Sequence, residues 1–282
     1  MDSSSKMVMV YSSPAGSTRA VAEMILSVLR AAGKEVVVLD LDRPEDRDQG
    51  TAVAESLRPG DGLWLGSPVY AYHALPAVMG FIQGLPECPG VFTVPFVTWG
   101  AVTSGTALYE MAESLSAKGC RIAGAAKVAA VHSMMWQQET PLGAGRPDKI
   151  DGVLLRDWVK KLLGRIRSGK VSPALMKDLN YQPASVRSTM DEMNLAKAGA
   201  MFPGIKVNED LCTRCGVCAE NCPVQAVTLS PWPTIADHCI FCFNCVRLCG
   251  ENAFQVDLSP FGDRLRHMAK ANNEYPLTKT FL

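Results

Sequence analysis

The sequence predicts a doubly wound α/β domain, with five parallel strands in the order 2-1-3-4-5, followed by a small α+β domain rich in cysteine. Short apolar runs alternate with helical periodicity over residues 6–167. Strands that are apolar on both faces and separated by helices indicate a parallel sheet covered on both sides. Eight of the ten cysteines then fall in a regular rhythm from Cys212 to Cys249. A length of 282 residues fits two domains better than one.

The alternation gives the order of the elements. Strands are expected at residues 7–10, 36–41, 62–66, 91–98 and 122–131, and helices at 18–31, 75–82, 106–118 and 153–166. The α/β domain is expected to span residues 1–169. A polar linker with one short helix near residues 189–198 covers 170–202, and the cysteine-rich domain covers 203–258. The tail, 259–282, is polar and is expected to lie across the surface.

Composition excludes several classes of partner. Lysine plus arginine equal aspartate plus glutamate at 28 each, so no global field attracts nucleic acid. No apolar run approaches the length of a membrane helix, and the N-terminus lacks the apolar region of a signal peptide. We therefore expect a cytoplasmic protein with no nucleic-acid partner and no membrane span. Cys88 and Cys120, isolated from the other cysteines, are expected to be buried free thiols.

The cysteine run predicts two [4Fe–4S] clusters. Each half has the spacing C-x-x-C-x-x-C-x-x-x-C, as in bacterial two-cluster ferredoxins, where the fourth cysteine of each run ligates the other cluster. Two zinc sites are the alternative, but zinc has no use for a crossed fourth ligand. Pro223 follows the first run, whereas Gly250 follows the second and gives no fixed φ there. Cluster one is assigned Cys212, Cys215, Cys218 and Cys249, and cluster two Cys239, Cys242, Cys245 and Cys222.

The loop after the first strand can bind a terminal phosphate. It consists of small and hydroxyl residues and leads directly into a helix, whose N-terminus faces the anion. The side chains of Ser13, Ser17 and Thr18 add hydroxyl donors. The alternative is a helix cap made by Ser17 or Thr18 in a tight turn.

Two more loops follow the third and fourth strands, at the edge where open α/β sheets bind ligands. Each carries an aromatic residue, Tyr70 or Trp99, that can stack on or edge an isoalloxazine ring. A lone aromatic at such a position is more often part of the core. Two of them beside a phosphate loop favour a flavin site.

These motifs resemble those of flavodoxin-like proteins that end in a two-cluster ferredoxin domain. The match lies in the loop of residues 13–18, the loop of residues 66–70 and the cysteine run. The resemblance implies a flavodoxin-like fold and noncovalent FMN. Ala15 stands where many flavodoxins have threonine, so one hydroxyl contact to the phosphate is missing. The implied FMN contacts are Ser13, Ala15, Gly16, Ser17, Thr18, Pro68, Val69, Tyr70, Ala71, Thr98, Trp99 and Gly100.

Two classes of function stay open. The chain is an oxidoreductase that passes single electrons between a low-potential donor such as a ferredoxin, the clusters and FMN, or it is an electron carrier or reductase component for a partner enzyme. A homodimer is an assembly that the resemblance allows. The long segment 132–150 bears on this choice: His132 is a candidate proton donor and Trp136 a candidate wall of a substrate pocket. A structural flap or an interface is the alternative.

Overall fold

Short apolar segments form the sheet, because they are apolar on both faces and too short for helices. A computed structural model describes residues 5–169, 172 and 174–282; the start of the expected linker at residues 170 and 171, and Pro173 within it, lie outside the described residues. The strands are β1 (Met7–Tyr11), β2 (Val36–Asp40), β3 (Gly62–Tyr70), β4 (His73–Ala74), β5 (Phe92–Trp99), β6 (Arg121–Ile122), β7 (Ala125–Ala129), β8 (Lys206–Val207), β9 (Val227–Leu229), β10 (Pro233–Ile235), β11 (Phe254–Gln255) and β12 (Lys279–Phe281). The α-helices are α1 (Ser17–Ala31), α2 (Pro44–Glu55), α3 (Pro76–Gly84), α4 (Ala107–Ala117), α5 (Lys149–Arg167), α6 (Leu175–Leu179), α7 (Ala184–Glu192), α8 (Leu195–Gly199), α9 (Val217–Glu220), α10 (Asn244–Arg247) and α11 (Ser259–Asn272).

The strand order confirms the predicted fold class. The parallel strands run β2-β1-β3-β5-β7, which is the order 2-1-3-4-5 when the short strands β4 and β6 are set aside. In the register of β1, Met7 lies opposite Val36 on one side and Gly62 on the other. The chain therefore begins with a flavodoxin-like sheet, with β1 and β3 near its centre.

Helices cover both faces of this sheet. Helices α1 and α5 pack together on one face and bury side chains such as Ile25 and Leu162. Helices α3 and α4 lie on the other face with Val78 and Leu108 buried, each such side chain contributing about 1.5–3 kcal/mol. None of the helices in the described residues has the length and apolar character needed to cross a membrane.

Several elements differ from the sequence prediction. Helix α2 was not predicted, because it buries only the small residues Gly50 and Ala54 and so shows no apolar period. Strand β3 continues through the expected second loop to Tyr70, since that stretch pairs with β4 and β5. The expected fifth strand is split into β6 and β7.

The expectation of a surface tail is wrong for its last residues. Strand β12 pairs antiparallel with β7, with Phe281 opposite Ala125, and extends the sheet. Trp158 of α5 donates its indole N–H to the Phe281 carbonyl at 3.1 Å. The linker likewise contains three helices, α6 to α8, rather than one, and buries Leu175 and Leu179 in the core.

The expectation of free thiols at Cys88 and Cys120 is also wrong. Both are buried, but they form a disulfide, with their Cα atoms 5.1 Å apart. The loop before β5 and the turn before β6 meet here, since the Cys88 N–H donates to the Lys118 carbonyl at 2.8 Å. Sequence spacing does not reveal this approach, because the two residues lie 32 positions apart.

His73 attaches the linker to the α/β domain. Its Nδ1 lies 2.9 Å from Glu110 Oε2, and its Nε2 lies 3.0 Å from the Met190 carbonyl and 2.9 Å from that of Met193. Both ring nitrogens thus face acceptors, which favours the imidazolium form. The hydrogen bond to Glu110 is the main cause that raises the pKa of His73 above its ordinary value of 6.5.

We predict that linker attachment weakens as pH rises. A raised folded-state pKa means that the stabilisation is complete below pH 6.5 and is lost as pH rises through the raised value. His73→Gln should lower the free energy of unfolding by on the order of 1 kcal/mol in acid and by less in alkali. Urea unfolding across this pH range measures the difference, with the exposed His267→Gln as control. A loss in free energy of unfolding that is the same at every pH would contradict the prediction.

Candidate functional site

The carboxyl ends of β1, β3 and β5 form one side of a cavity. The loop after β1 and the end of β5 are joined where the Thr18 and Thr98 hydroxyls share a hydrogen bond of 2.8 Å. Eleven of the twelve residues expected to contact FMN line this cavity, and Gly16 does not. The lining set is Ser13, Ala15, Ser17, Thr18, Pro68, Val69, Tyr70, Ala71, Thr98, Trp99 and Gly100.

The loop after β1 leaves the start of α1 open. Gly16 is the N-cap residue of α1, with φ 88° and no side-chain cap, so the alternative of a Ser17 or Thr18 cap does not hold. Ser13 shapes the loop instead: its hydroxyl accepts from the Arg19 N–H at 2.8 Å, and its own N–H donates to Asp42 at 2.8 Å. The N–H groups of Ser17 and Thr18, which precede Arg19 in the first turn, remain available for an anion in such an arrangement.

Two buried donors on the wall of the cavity support a bound polar ligand. The indole N–H of Trp99 has no hydrogen-bond partner among the described residues, and neither does the Tyr70 hydroxyl within normal geometry. Ser133 lies close enough to Tyr70 to oppose the rise that burial causes in the pKa of Tyr70. Buried donors without partners are costly. A planar heteroaromatic ring system with oxygen and nitrogen acceptors, such as that of FMN, fits this chemistry.

The backbone around the cavity is strained. Ala71, Tyr72 and Ala101 have φ values of 48°, 75° and 60°, a region that L-residues rarely adopt. The Tyr72 carbonyl is fixed by the Thr106 N–H at 2.9 Å, and the Ser67 hydroxyl accepts from the Leu75 N–H at 2.8 Å. Such strain is found at ligand-binding sites, where the surrounding structure holds it in place.

The two candidate residues of segment 132–150, His132 and Trp136, lie in different places in the structure. His132 lines the cavity, and burial lowers its pKa to about 4. Its Nδ1 accepts from the Met134 N–H at 3.3 Å, so Nε2 carries the hydrogen of a neutral ring. Trp136 is not among the described residues that line this cavity, and it lies against Phe243 with ring centroids 6.0 Å apart.

The outer wall comes from segments expected to be linker and tail. Residues from α7 to α8 and from α11 close the cavity with apolar side chains, and Arg264 stands among them. The sequence prediction did not include this wall, although the residues from α11 recur at i, i+4 and i+7, which indicates one face of a helix. The outer-wall residues are Met193, Leu195, Ala198, Met201, Phe202, Phe261, Arg264, Leu265 and Met268.

A buried ion pair lies behind Trp99. Lys127 of β7 contacts Glu274 of the tail, and its ammonium lies 5.4 Å from the Trp99 ring centroid. Glu274 also accepts from the Thr103 hydroxyl and the Ser104 N–H, each at 2.8 Å. Burial alone would raise the pKa of Glu274, but Lys127 and the hydrogen bonds from Ser104 outweigh it and lower the pKa.

Three cysteines of the first run lie around one cavity with Cys249, the last cysteine of the second run. A small cavity is lined by Cys212, Cys215, Cys218 and, from the other run, Cys249. Among the described residues no group of three or more His, Cys, Asp or Glu is arranged to hold a single metal ion. A four-iron cubane is larger than one ion and holds its ligand sulfurs further apart, so the cysteine arrangement is compatible with a cluster.

The second run gathers around Cys222 of the first. Burial raises the pKa of Cys242 and of Cys245 to about 12, and the nearby Cys239 and Cys222 thiols add to the rise in both. Burial likewise raises the pKa of Cys239, with Cys222 as the further cause. The four cysteines assigned to cluster two therefore act on one another electrostatically, and Cys218 of the other assignment also acts on Cys245. A metal centre would have to displace the protons of these thiols.

The two runs repeat the same backbone geometry. The residue before the second cysteine of each run has positive φ, Arg214 at 57° and Phe241 at 54°. The sulfurs of Cys222 and Cys249 each accept an N–H from four residues further on, at 3.2 Å and 3.3 Å. Hydrogen bonds to ligand sulfurs are one of the levers that set cluster potentials.

The second cysteine loop forms part of the cavity wall. Ile240 and Phe241, which lie between Cys239 and Cys242, line the same cavity as the loops after β1, β3 and β5. Ile240 and Cys242 pack in one apolar cluster with Leu75 and Tyr70. The cysteines assigned to cluster two therefore adjoin the candidate flavin site.

Comparison with known proteins identifies a 4Fe–4S binding segment in this chain. The family "4Fe-4S binding domain" matches residues 205–228, which contain the first cysteine run. No curated protein matches the chain. The iron–sulfur assignment of the cysteines beyond residue 228 thus depends on their spacing and on their geometry alone.

Several solved structures resemble the α/β domain. Rubredoxin oxygen:oxidoreductase from Desulfovibrio gigas is 20% identical with a TM-score of 0.45, over 58% of this chain and 36% of that one. The Flv1 flavodiiron core from Synechocystis is 13% identical with a TM-score of 0.46, over 60% of this chain and 38% of that one. An archaeal flavodoxin is 18% identical with a TM-score of 0.41, over 57% of this chain and 99% of that one. This chain thus spans little more than a third of the first two proteins, and TM-scores this low carry no argument about activity.

We predict that Gly100→Ala disturbs the cavity. A Cβ at this position would lie 2.6 Å from His132 Cδ2 and 2.9 Å from the His132 Cα, so His132 and its backbone must move. The change should cost about 1–3 kcal/mol of stability and reduce the flavin content of purified protein. Thermal unfolding and flavin extraction measure both effects.

Gly164→Ala is the matched control, because nothing lies within 4 Å of its added Cβ. It lies inside α5, where alanine favours the helix by about 1 kcal/mol. Equal stability and flavin content in the two variants would show that His132 does not need the space that Gly100 leaves.

Proposed function

We propose that this chain, in which a flavodoxin-like sheet precedes a 4Fe–4S binding segment, is an iron–sulfur flavoprotein oxidoreductase. It passes single electrons between a low-potential donor, two [4Fe–4S] clusters and FMN. One observation carries the proposal: Ile240 and Phe241 of the second cysteine loop line the same cavity as the expected flavin loops. Clusters transfer one electron at a time, whereas FMN takes up one or two.

The residues of the cavity have separate tasks in this proposal. The loop of residues 13–18 holds the phosphate with backbone N–H groups and the Ser17 hydroxyl. Trp99 and Tyr70 hold the ring system and offer it their unpartnered donors. His132, neutral at physiological pH, offers an Nε2–H as a hydrogen-bond donor rather than as a strong acid. The apolar outer wall of α8 and α11 limits the access of water.

The exposure of the cysteines suggests which cluster receives electrons from a donor protein. Cys215 is exposed and Cys212 half-buried, whereas Cys242 is buried and packs with Tyr70, which lines the cavity. Cluster one is therefore the one that a donor protein can approach. The loop of Cys239 and Cys242, which would hold cluster two, adjoins the cavity and would pass the electrons on to the flavin.

The outer wall favours a small-molecule acceptor over a protein acceptor. It covers the cavity with apolar side chains from α8 and α11, and such a cover admits a small organic molecule more readily than the surface of a partner enzyme. The alternative is a carrier or reductase component with no substrate of its own. In that case the outer wall shields the flavin, and electrons leave through the exposed cysteine loop.

The first test is composition. Protein purified without oxygen should contain about one FMN and about eight irons per chain, as two cubanes require. Acid extraction identifies the flavin, and metal analysis counts the iron. Recovery of FAD, or of zinc in place of iron, would refute the proposal.

The second test concerns the crossed ligands. Cys222→Ala should damage the cluster of Cys239, Cys242 and Cys245, because Cys222 lies among those thiols. Cys249→Ala is the matched variant and should damage the other cluster, whose cavity it lines. Spectroscopy that resolves the two clusters decides the matter. Loss in each variant of the cluster formed by its own run would contradict the crossed assignment.

A further inference from the structure

Arg247 reaches from the cysteine segment, β8 to β11, to the loop after β1. It ends α10, two residues after Cys245, and its Nη2 donates to the Pro14 carbonyl at 3.2 Å. The same group contacts Asn244, and the guanidinium lies 5.8 Å from the Trp136 ring centroid. Arg247 thus brings a positive charge to the loop that is expected to hold the flavin phosphate.

This charge is not balanced by the protein. No carboxylate among the described residues forms an ion pair with Arg247, as happens at Arg19 and Arg146, and its Nε–H is buried without a partner. A buried donor on a charged group is costly to leave unpaired. The nearby carboxylate of Asp42 already accepts from the Ser12 hydroxyl and the Ser13 N–H. An anionic ligand at this position would supply the missing partner.

Resting on the proposed function, we propose that Arg247 completes the phosphate site of FMN from the cysteine segment. The loop of residues 13–18 offers only neutral donors and has Asp42 beside it, which repels a phosphate. A guanidinium offsets that repulsion and suits phosphate geometry, since it presents several N–H groups in one plane. Flavin binding and docking of the cysteine segment are thereby linked through one side chain.

The electrostatics of the cavity wall agree with this placement. The charge of Arg247 acts on Tyr70, where it opposes the rise that burial causes in the pKa of that hydroxyl. Tyr70 lines the cavity and Pro14 lies in the phosphate loop. Arg247 lines the neighbouring cavity that Trp136 also lines, and it reaches the expected flavin site through the Pro14 carbonyl and through its charge.

The test compares FMN with riboflavin, which lacks the phosphate. Protein freed of flavin but with its iron intact is titrated with each ligand, and quenching of flavin fluorescence gives both dissociation constants. Arg247→Gln should weaken FMN binding about tenfold or more and leave riboflavin binding unchanged. Arg247→Lys, which keeps the charge but not the planar group, should recover part of the FMN affinity.

Arg47→Gln is the matched control. Arg47 of α2 also joins the α/β domain to the cysteine segment, through the Pro223 carbonyl and Gln225, but it does not contact the phosphate loop. Its loss should change the two affinities equally, if at all. An equal loss of FMN and riboflavin affinity in Arg247→Gln, or no loss of either, would overturn the role of Arg247. Wild-type protein that binds neither flavin would instead refute the proposed function.

Discussion

The docking of the second cysteine loop on the carboxyl edge of the sheet is the contact on which the site depends. Ile240 and Cys242 pack against Leu75 and Tyr70, so the loop that would enclose cluster two also closes the flavin cavity. Its apolar side chains exclude water from both sites at once. Without this contact the molecule would hold a flavodoxin-like sheet and an iron–sulfur segment with no path between them.

Two arginine side chains also join the α/β domain to the cysteine segment. Arg247 and Arg47 cross the junction from opposite sides and donate to the carbonyls of Pro14 and Pro223. Backbone carbonyls do not neutralise a guanidinium as a carboxylate does. Arg247 thus places a positive charge beside the loop after β1.

The tail and the linker form the outer wall of the same cavity and are fixed to the α/β domain by polar contacts. Lys127 and Glu274 form a buried pair behind Trp99, and His73 holds the end of α7 through the Met190 and Met193 carbonyls. Buried ion pairs and hydrogen-bonded histidines tie distant segments to fixed positions. The outer wall formed by α8 and α11 therefore rests on the α/β domain through specific polar contacts.

The sequence by itself determined the features that short-range chemistry controls. Strand periodicity predicted the order of the parallel sheet, since alternating strands and helices admit few topologies. The phosphate-binding role of the loop after β1 and the iron–sulfur role of the cysteines could be predicted from the sequence, because the residues of each motif are close in sequence. Only the tertiary structure decided that Cys88 bonds Cys120, that β12 joins the sheet, that Trp136 lies outside the cavity and that Arg247 reaches Pro14. These contacts join residues far apart in the chain, and their formation depends on packing that no local pattern of residues records.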